Sequence, residues 1–238
     1  MAVETSTKPI SSSDELKQLA SSLERTLPIA NRIAAILRQQ IIDGRLKPGE
    51  RIVETRLAKQ LQIGQPTVRE SLIMLEHEGL VERKPNRGCS VVKLSLKEID
   101  QIYQVRLELE PLAAELTIEN RGDQEVLRIV FEEMKEAAKN ADIESWNRCD
   151  LRFHETLWRI SGNPFLERTL TQVAVPFFAF AKLVYLQGPP IDLASQAEDH
   201  ARIVSALATG DRDLAKRTTR EVLLGFRQFW AQVPELGG

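Results

Sequence analysis

Apolar residues recur along this chain with a helical period in almost every segment. Over residues 28–43, Ile29, Ile33, Ile36, Leu37 and Ile41 share one side, and Gly44 follows where a helix commonly ends. Leu46, Lys47, Pro48, Gly49 and Glu50 then predict a turn. A second helix over 54–61 is marked by Val53, Leu57 and Leu61 at intervals of four. A short break at Gln62, Ile63 and Gly64 precedes a third helix from Gln65, with Pro66 in its first turn, where a missing N–H leaves no bond unmade. Its inner stripe is Val68, Leu72 and Leu75, and Gly79 stops it. Two short strands, 80–84 and 89–93, flank a hairpin turn of Pro85, Asn86, Arg87 and Gly88. A helix, a helix–turn–helix and a β-hairpin in this order describe a winged helix.

Beyond residue 96 no strand pattern remains. Five or six helices are predicted, over 96–120, 123–139, 142–161, 164–187 (with Pro176 inside it), 192–209 and 211–231. The breaks between them are rich in Asn, Gly, Asp and Pro, and short connections favour antiparallel packing. The expected fold is therefore mostly α: an N-terminal winged helix-turn-helix of three helices and a hairpin, then an all-α bundle of six or seven helices. The expected boundaries are a polar tail over 1–20 with helical potential from Asp14, a DNA-binding domain over 21–94, and a helical domain over 95–238.

Composition narrows the class of protein. Charged residues make up 28% and hydrophobic residues 42%, the profile of a soluble globular chain. The longest apolar run, from Val173 to Ala181, contains Pro176 and is far short of the roughly 20 residues a bilayer demands. Without a signal segment, and with only two cysteines, Cys89 and Cys149, the expectation is a reduced protein of the cytoplasm. The net charge of −2 conceals an asymmetry: residues 28–95 carry 12 Lys and Arg against 7 Asp and Glu, a net +5, which leaves −7 for the rest. A basic segment on an acidic body suits one domain that meets phosphates and another that does not.

Three positions in the helical part break the apolar seams. The 96–120 seam runs Ile99, Ile102, Arg106, Leu109, Ala113, Leu116, with an arginine pointing inward. Its partner is either structural, Glu110 or Asp150, or the carboxylate of a bound ligand, since an unpaired buried charge is expensive. The 142–161 seam of Trp146, Asp150, Phe153, Leu157 and Ile160 carries an aspartate, with His154 one turn further on. His200 stands in line with Ile203 and Leu207. One Asp and two His are a recognised metal-ligand set, and equally they are what two hydrogen-bonded structural histidines look like. His77 fits no such set and is expected at the surface.

Two longer constellations resemble known families. Ile42-Asp43-Gly44-Arg45-Leu46-Lys47-Pro48-Gly49, Glu54-x-x-Leu57-Ala58, Val68-Arg69-Glu70-Ser71-Leu72, Leu75-Glu76-x-Glu78-Gly79-Leu80-Val81 and Arg87-Gly88 resemble the N-terminal domain of GntR regulators. Tyr103-x-x-Arg106-x-x-Leu109-Glu110, Asp150-x-x-Phe153-His154, Gly162-Asn163-Pro164 and His200-x-x-Ile203-x-x-Ala206-Leu207-x-x-Gly210-Asp211 resemble the FCD effector domain of the FadR-like branch. The resemblance implies a homodimer on a palindromic operator, acting as a repressor whose grip is changed by a small carboxylate effector. At the DNA face it implies Gly64, Gln65, Thr67 and Arg69 of the recognition helix, Thr55 and Arg56 on the backbone, and Arg87 and Gly88 at the wing tip. The usual Ser-Arg-Thr-Pro there is Gly64-Gln65-Pro66-Thr67 in this chain, so the common base-reading arginine is replaced by Gln65.

In the FCD part, the resemblance implies a divalent metal (Zn, Ni or Mn) on Asp150, His154 and His200, beside an effector held by Arg106 and Tyr103. Its fourth ligand position, 22 residues after His200, is Val222, which cannot ligate. Two other functions compete: a constitutive dimeric DNA-binding protein with a vestigial effector site, and an enzyme built on the two-His-one-carboxylate set. The enzyme reading lacks a separate general base or nucleophile motif, and it leaves the winged helix unexplained.

Overall fold

In the computed structural model, which describes residues 27–84, 88–187 and 191–232, the chain divides into two compact units, Met1–Val92 and Lys93–Gly238. The expected tail over 1–20, its helix from Asp14, and the turn residues Pro85 to Arg87 lie outside the described residues.

The first unit runs α1 (Ile29–Ile42), β1 (Arg51–Ile52), α2 (Glu54–Leu61), α3 (Gln65–His77), β2 (Val81–Lys84) and β3 (Gly88–Val91). Its core joins Ile33, Leu37 and Ile41 of α1 to Val68, Leu72 and Leu75 of α3, with Leu57 of α2 closing the cluster. Each such side chain contributes about 1.5–3 kcal/mol by leaving water. α1 ends as its sequence demands. Gly44 takes φ +68°, and the Gln40 carbonyl accepts from the N–H groups of Arg45 and Leu46. An ion pair of 2.7 Å between Arg38 and Glu78 ties α1 to the end of α3.

The sheet holds one strand more than the sequence pattern predicts. β1 pairs antiparallel with β3, Arg51 opposite Ser90 and Ile52 opposite Cys89, giving the order β1-β3-β2. The ladder continues into the expected turn: the Gly49 N–H donates to Val91 O and the Val91 N–H to Glu50 O, both at 2.9 Å. Two residues are too short to show an alternating pattern, so only the β3 partner reveals this strand. In the central strand, Cys89 is enclosed, and burial pushes its thiol up to about 11, which makes it a packing residue.

The second unit contains α4 (Leu96–Glu119), α5 (Gln124–Lys139), α6 (Ile143–Ile160), α7 (Pro164–Gln187), α8 (Leu193–Ala208) and α9 (Arg212–Trp230), and no strand among the described residues. α7 is its central helix: every residue from Ala174 to Lys182 is buried, the signature of a helix enclosed on all sides. It continues as helix through Pro176. α4 lies against α9, and α6 packs between α5 and α7.

The α4 seam is corrected by the structure. Leu109 and Leu116 are only half-buried, whereas Tyr103, Leu107, Glu110, Ala114 and Thr117 are enclosed along with Ile99, Ile102, Arg106 and Ala113. A straight helix drifts against a strict heptad, and α4 has several neighbours, so the buried face is wider and turned from the expected line. Among the described residues, no helix is long and apolar enough to cross a membrane.

Candidate metal centre and nucleic-acid interface

Three helices converge on one buried cluster. α6 supplies Asp150 and His154, one turn apart; α8 supplies His200; α4 supplies Arg106 and Glu110, also one turn apart. His154, His200, Arg106 and Glu110 are each at most 1% exposed. The separations are 3.2 Å from His200 Nε2 to Asp150 Oδ1 and 3.5 Å from His154 Nε2 to the same oxygen. Neither contact is aligned as a hydrogen bond, because Asp150 Oδ1 and His200 Nε2 are both buried without a hydrogen-bond partner. One ligand atom from each of Asp150, His154 and His200 lies within 4.8 Å of the others.

The outer nitrogens of both imidazoles are engaged elsewhere. His154 Nδ1 lies 2.7 Å from Glu110 Oε2, and His200 Nδ1 donates to the Gln196 carbonyl at 2.8 Å. These contacts fix the rings so that both Nε2 atoms face Asp150, the arrangement that outer partners impose on metal-binding histidines. A tetrahedral metal with bonds of about 2.1 Å separates its ligands by roughly 3.4 Å. The two spacings to Asp150 bracket that value and the three ligand atoms lie within 4.8 Å of one another, so the donor set is compatible with a divalent cation.

Charge balance within the cluster follows from the same contacts. Burial alone drives carboxylates up, but Arg106 and His154 beside Glu110 hold it well below its usual range. Asp150 is likewise depressed against its burial, by His154 and His200. Burial disfavours the His154 cation, yet Glu110 and Asp150 outweigh it and raise this imidazole. Of its two structural candidates, Arg106 donates through Nε to Glu110 and not to Asp150; its Nη1 remains buried without an acceptor. The guanidinium also lies 4.9 Å from the Tyr103 ring centroid and 5.2 Å from those of Phe177 and Phe178.

Tyr103, Arg106, Asp150, His154 and His200 line one cavity of ≈ 10 Å³, so the structure brings the metal-ligating and effector-binding candidates together. That volume suits about one water molecule or an ion, and not a multi-atom acid. Phe226 and Trp230 form its α9 wall, while Val222 is buried one turn before Phe226. Sequence reasoning missed the Glu110–His154 contact, the Gln196 carbonyl and the aromatic wall. Glu110 is legible only as a partner of Arg106, since its approach to α6 is tertiary.

The DNA-face candidates lie in the first unit. Thr55 and Arg56 open α2, and Gly64, Gln65 and Arg69 lie on or beside the start of α3; all five are exposed, while Thr67 is half-buried. Gly88 is exposed with φ +80°, and a Cβ there would lie 3.6 Å from the Arg51 guanidinium. Arg51, on the unforeseen strand, is therefore a further basic group beside the wing tip. Arg87 lies outside the described residues. Arg69 pairs across to α2, reaching Glu54 at 3.1 Å. His77 is exposed, as its pattern predicts.

Residues 29–91 match the family described as bacterial regulatory proteins, gntR family, and residues 101–225 match the FCD domain. The chain belongs to the GntR family, in its FCD-bearing branch. It is 30% identical over 200 residues to the uncharacterized HTH-type transcriptional regulator YdhC of Bacillus subtilis, a match covering 82% of this chain and 88% of that one. The gluconate operon transcriptional repressor of Bacillus licheniformis is 29% identical over 195 residues, 80% of each chain. Among solved structures, E. coli McbR/YncC shares the fold with a TM-score of 0.75 and 24% identity, over 87% of this chain and 99% of that one. This GntR-family chain is thus a DNA-binding transcription regulator, from a family of regulators rather than enzymes.

Proposed function

We propose that this regulator is a ligand-responsive repressor. Two copies hold a palindromic operator through paired α3 helices, with Gln65 and Thr67 at base edges, Arg69 within reach of a base edge or a phosphate, Thr55, Arg56 and the Gly64 backbone at phosphates, and Arg87 and Gly88 at the minor groove. In the bundle, Asp150, His154 and His200 hold a divalent cation. Bound there, the cation supplies a positive centre for a carboxylate oxygen, while Arg106 offers its unpartnered Nη1 and Tyr103 closes the same wall.

The observation that carries this reading is the pair of orphaned ligand atoms, Asp150 Oδ1 and His200 Nε2, 3.2 Å apart in an enclosed cluster. Unsatisfied buried polar atoms are costly and rarely kept without use. The ≈ 10 Å³ cavity adds a mechanism. An organic acid must part the aromatic wall in order to bind, and a conformation that binds acid better and operator worse makes the acid an inducer. By linkage, operator then weakens acid binding by the same factor.

The test is elemental analysis of the purified dimer, followed by titration of small carboxylates, gluconate among them, with and without operator. Metal at about one per chain, and an acid whose affinity drops when operator is present, support the reading. A metal-free protein that binds no acid overturns it. The small cavity and Val222 favour the second reading, in which the bundle only dimerises; the absence of any thermal shift on adding metals or acids would establish that one instead.

A further inference from the structure

Glu54, the first residue of α2, lies among the DNA-binding candidates although it is not one of the residues that the resemblance places at the DNA face. One of its oxygens, Oε2, receives three donors from α3: Gln65 Nε2 at 3.4 Å, Arg69 Nε at 3.2 Å and Arg69 Nη2 at 3.1 Å. Its other oxygen lies 3.9 Å from Arg83 Nη2 on β2, and the same Nη2 donates to the Arg69 carbonyl at 3.0 Å. Gln65 and Arg69 are one turn apart on one face of α3, so a single carboxylate from the neighbouring helix engages both.

The chemistry of that contact is directional. A carboxylate can only accept, so the Gln65 amide must turn its nitrogen towards Glu54 and its carbonyl away. The outward edge then presents one acceptor and the second amide N–H, the pattern that pairs with adenine N6 and N7. Arg69 is affected in the opposite sense: its Nε–Nη2 edge, one of the forks able to grip guanine O6 and N7, is already used by Glu54.

We propose that Glu54 is a specificity-determining residue of the operator interface. It positions Gln65 to read adenine and withholds Arg69 from guanine. The proposal rests on the reading of α3 as the recognition helix. Glu54 acts through Gln65 and Arg69 and is a positioning residue, so its signature is a change of base preference rather than a uniform loss of binding.

The experiment selects bound sequences from random duplex DNA with the full-length chain, then measures affinity for the selected sites and for non-specific DNA across a salt series. The wild type enriches adenine at one position in each half-site, and Gln65→Ala lowers that preference by about 5- to 100-fold, the range of a lost bidentate contact. Glu54→Ala lowers it equally and shifts an adjacent position towards guanine. It also binds non-specific DNA more tightly, with a salt slope steeper by about one, because a freed Arg69 reaches a phosphate. Glu54→Ala combined with Gln65→Ala loses nothing further at the adenine position.

Glu54→Gln keeps the shape of the side chain and shows the same changes at smaller size, with folding checked by circular dichroism. Retained adenine preference in both Glu54 variants, or a uniform loss across all sequences, overturns the proposal while leaving the recognition helix in place. A wild type that enriches no sequence overturns the recognition-helix reading and this proposal with it.

Discussion

The two units begin their helices in opposite ways. In the bundle, all six helices start beneath a polar side chain that accepts from the first turn: Ser95, Asp123, Asp142, Asn163, Asp192 and Asp211. Ser95 and Glu98 complete a reciprocal capping box. In the first unit, the described helices follow Pro28, Val53 and Gly64, and none has a side-chain cap. Open N-termini leave N–H groups and positive dipole ends facing outward, which suits a surface that must meet phosphates. The bundle has no such duty and satisfies its helix ends internally.

Arginine–glutamate pairs repeat the contrast. Arg106–Glu110 is enclosed at 1% and 0% exposure, while Arg69–Glu54 stands 56% and 21% exposed. The first is a fixed part of the core; the second stands at the surface.

The largest expected effect tests the buried pair. Arg106→Ala strands Glu110 without its cation and should destabilise the bundle by about 3–5 kcal/mol in chemical denaturation. A loss under 1 kcal/mol would mean that His154 alone compensates the carboxylate.

Next comes pH. A metal on His154 Nε2 displaces a proton that Glu110 and Asp150 favour, because they raise this imidazole. Below that raised value, each unit of acidification should weaken metal binding up to tenfold, about 1.4 kcal/mol, and affinity should level off above it. In the metal-free protein the sign reverses. The raised His154 contributes stability that is present at low pH and lost as pH rises through its folded value. Calorimetric titration across pH, with and without metal, separates the two.

Capping gives smaller effects of opposite sign in the two units. Asp211→Ala should cost about 1 kcal/mol. Gly64→Asp adds the cap that α3 lacks, and Gly64 has an ordinary φ of −67° and room for a Cβ. It should stabilise the first unit by only about 0.3 kcal/mol while weakening operator binding, since the new carboxylate faces phosphate. Unchanged DNA affinity would end the idea that this helix start is left open for phosphate.

A similarly small effect belongs to Arg69→Ala, which should change thermal stability by no more than about 0.5 kcal/mol because its pair is exposed. Weakened binding to DNA with unchanged melting is the expected pattern, because Glu54 is left with less positive charge to offset it beside the phosphates.

Much of this architecture is legible in the chain itself. The helix over 65–77 carries its start and stop signals in Pro66 and Gly79 and that over 164–187 its start in Pro164, while the helix over 54–61 is legible from the spacing of Val53, Leu57 and Leu61. The Asp150–His154 pair follows from one-turn spacing on an apolar face, and His200 from its place in a second stripe. Strand β1 was not legible, because two residues have no periodicity, and neither were the extra buried positions of α4, because its neighbours choose its face.

Local sequence therefore determined which segments are helical, where they are capped, and which polar residues interrupt apolar faces; these depend on contacts within a few residues. Only the tertiary structure decided which interruptions meet. It set Glu110 against His154 across 44 positions of sequence and Glu54 against Arg69 across 15. It also left Asp150 Oδ1 and His200 Nε2 close together and without hydrogen-bond partners. The reason is that a buried charge has no local preference to announce its partner, and its pairing is settled by which helices the apolar core brings together.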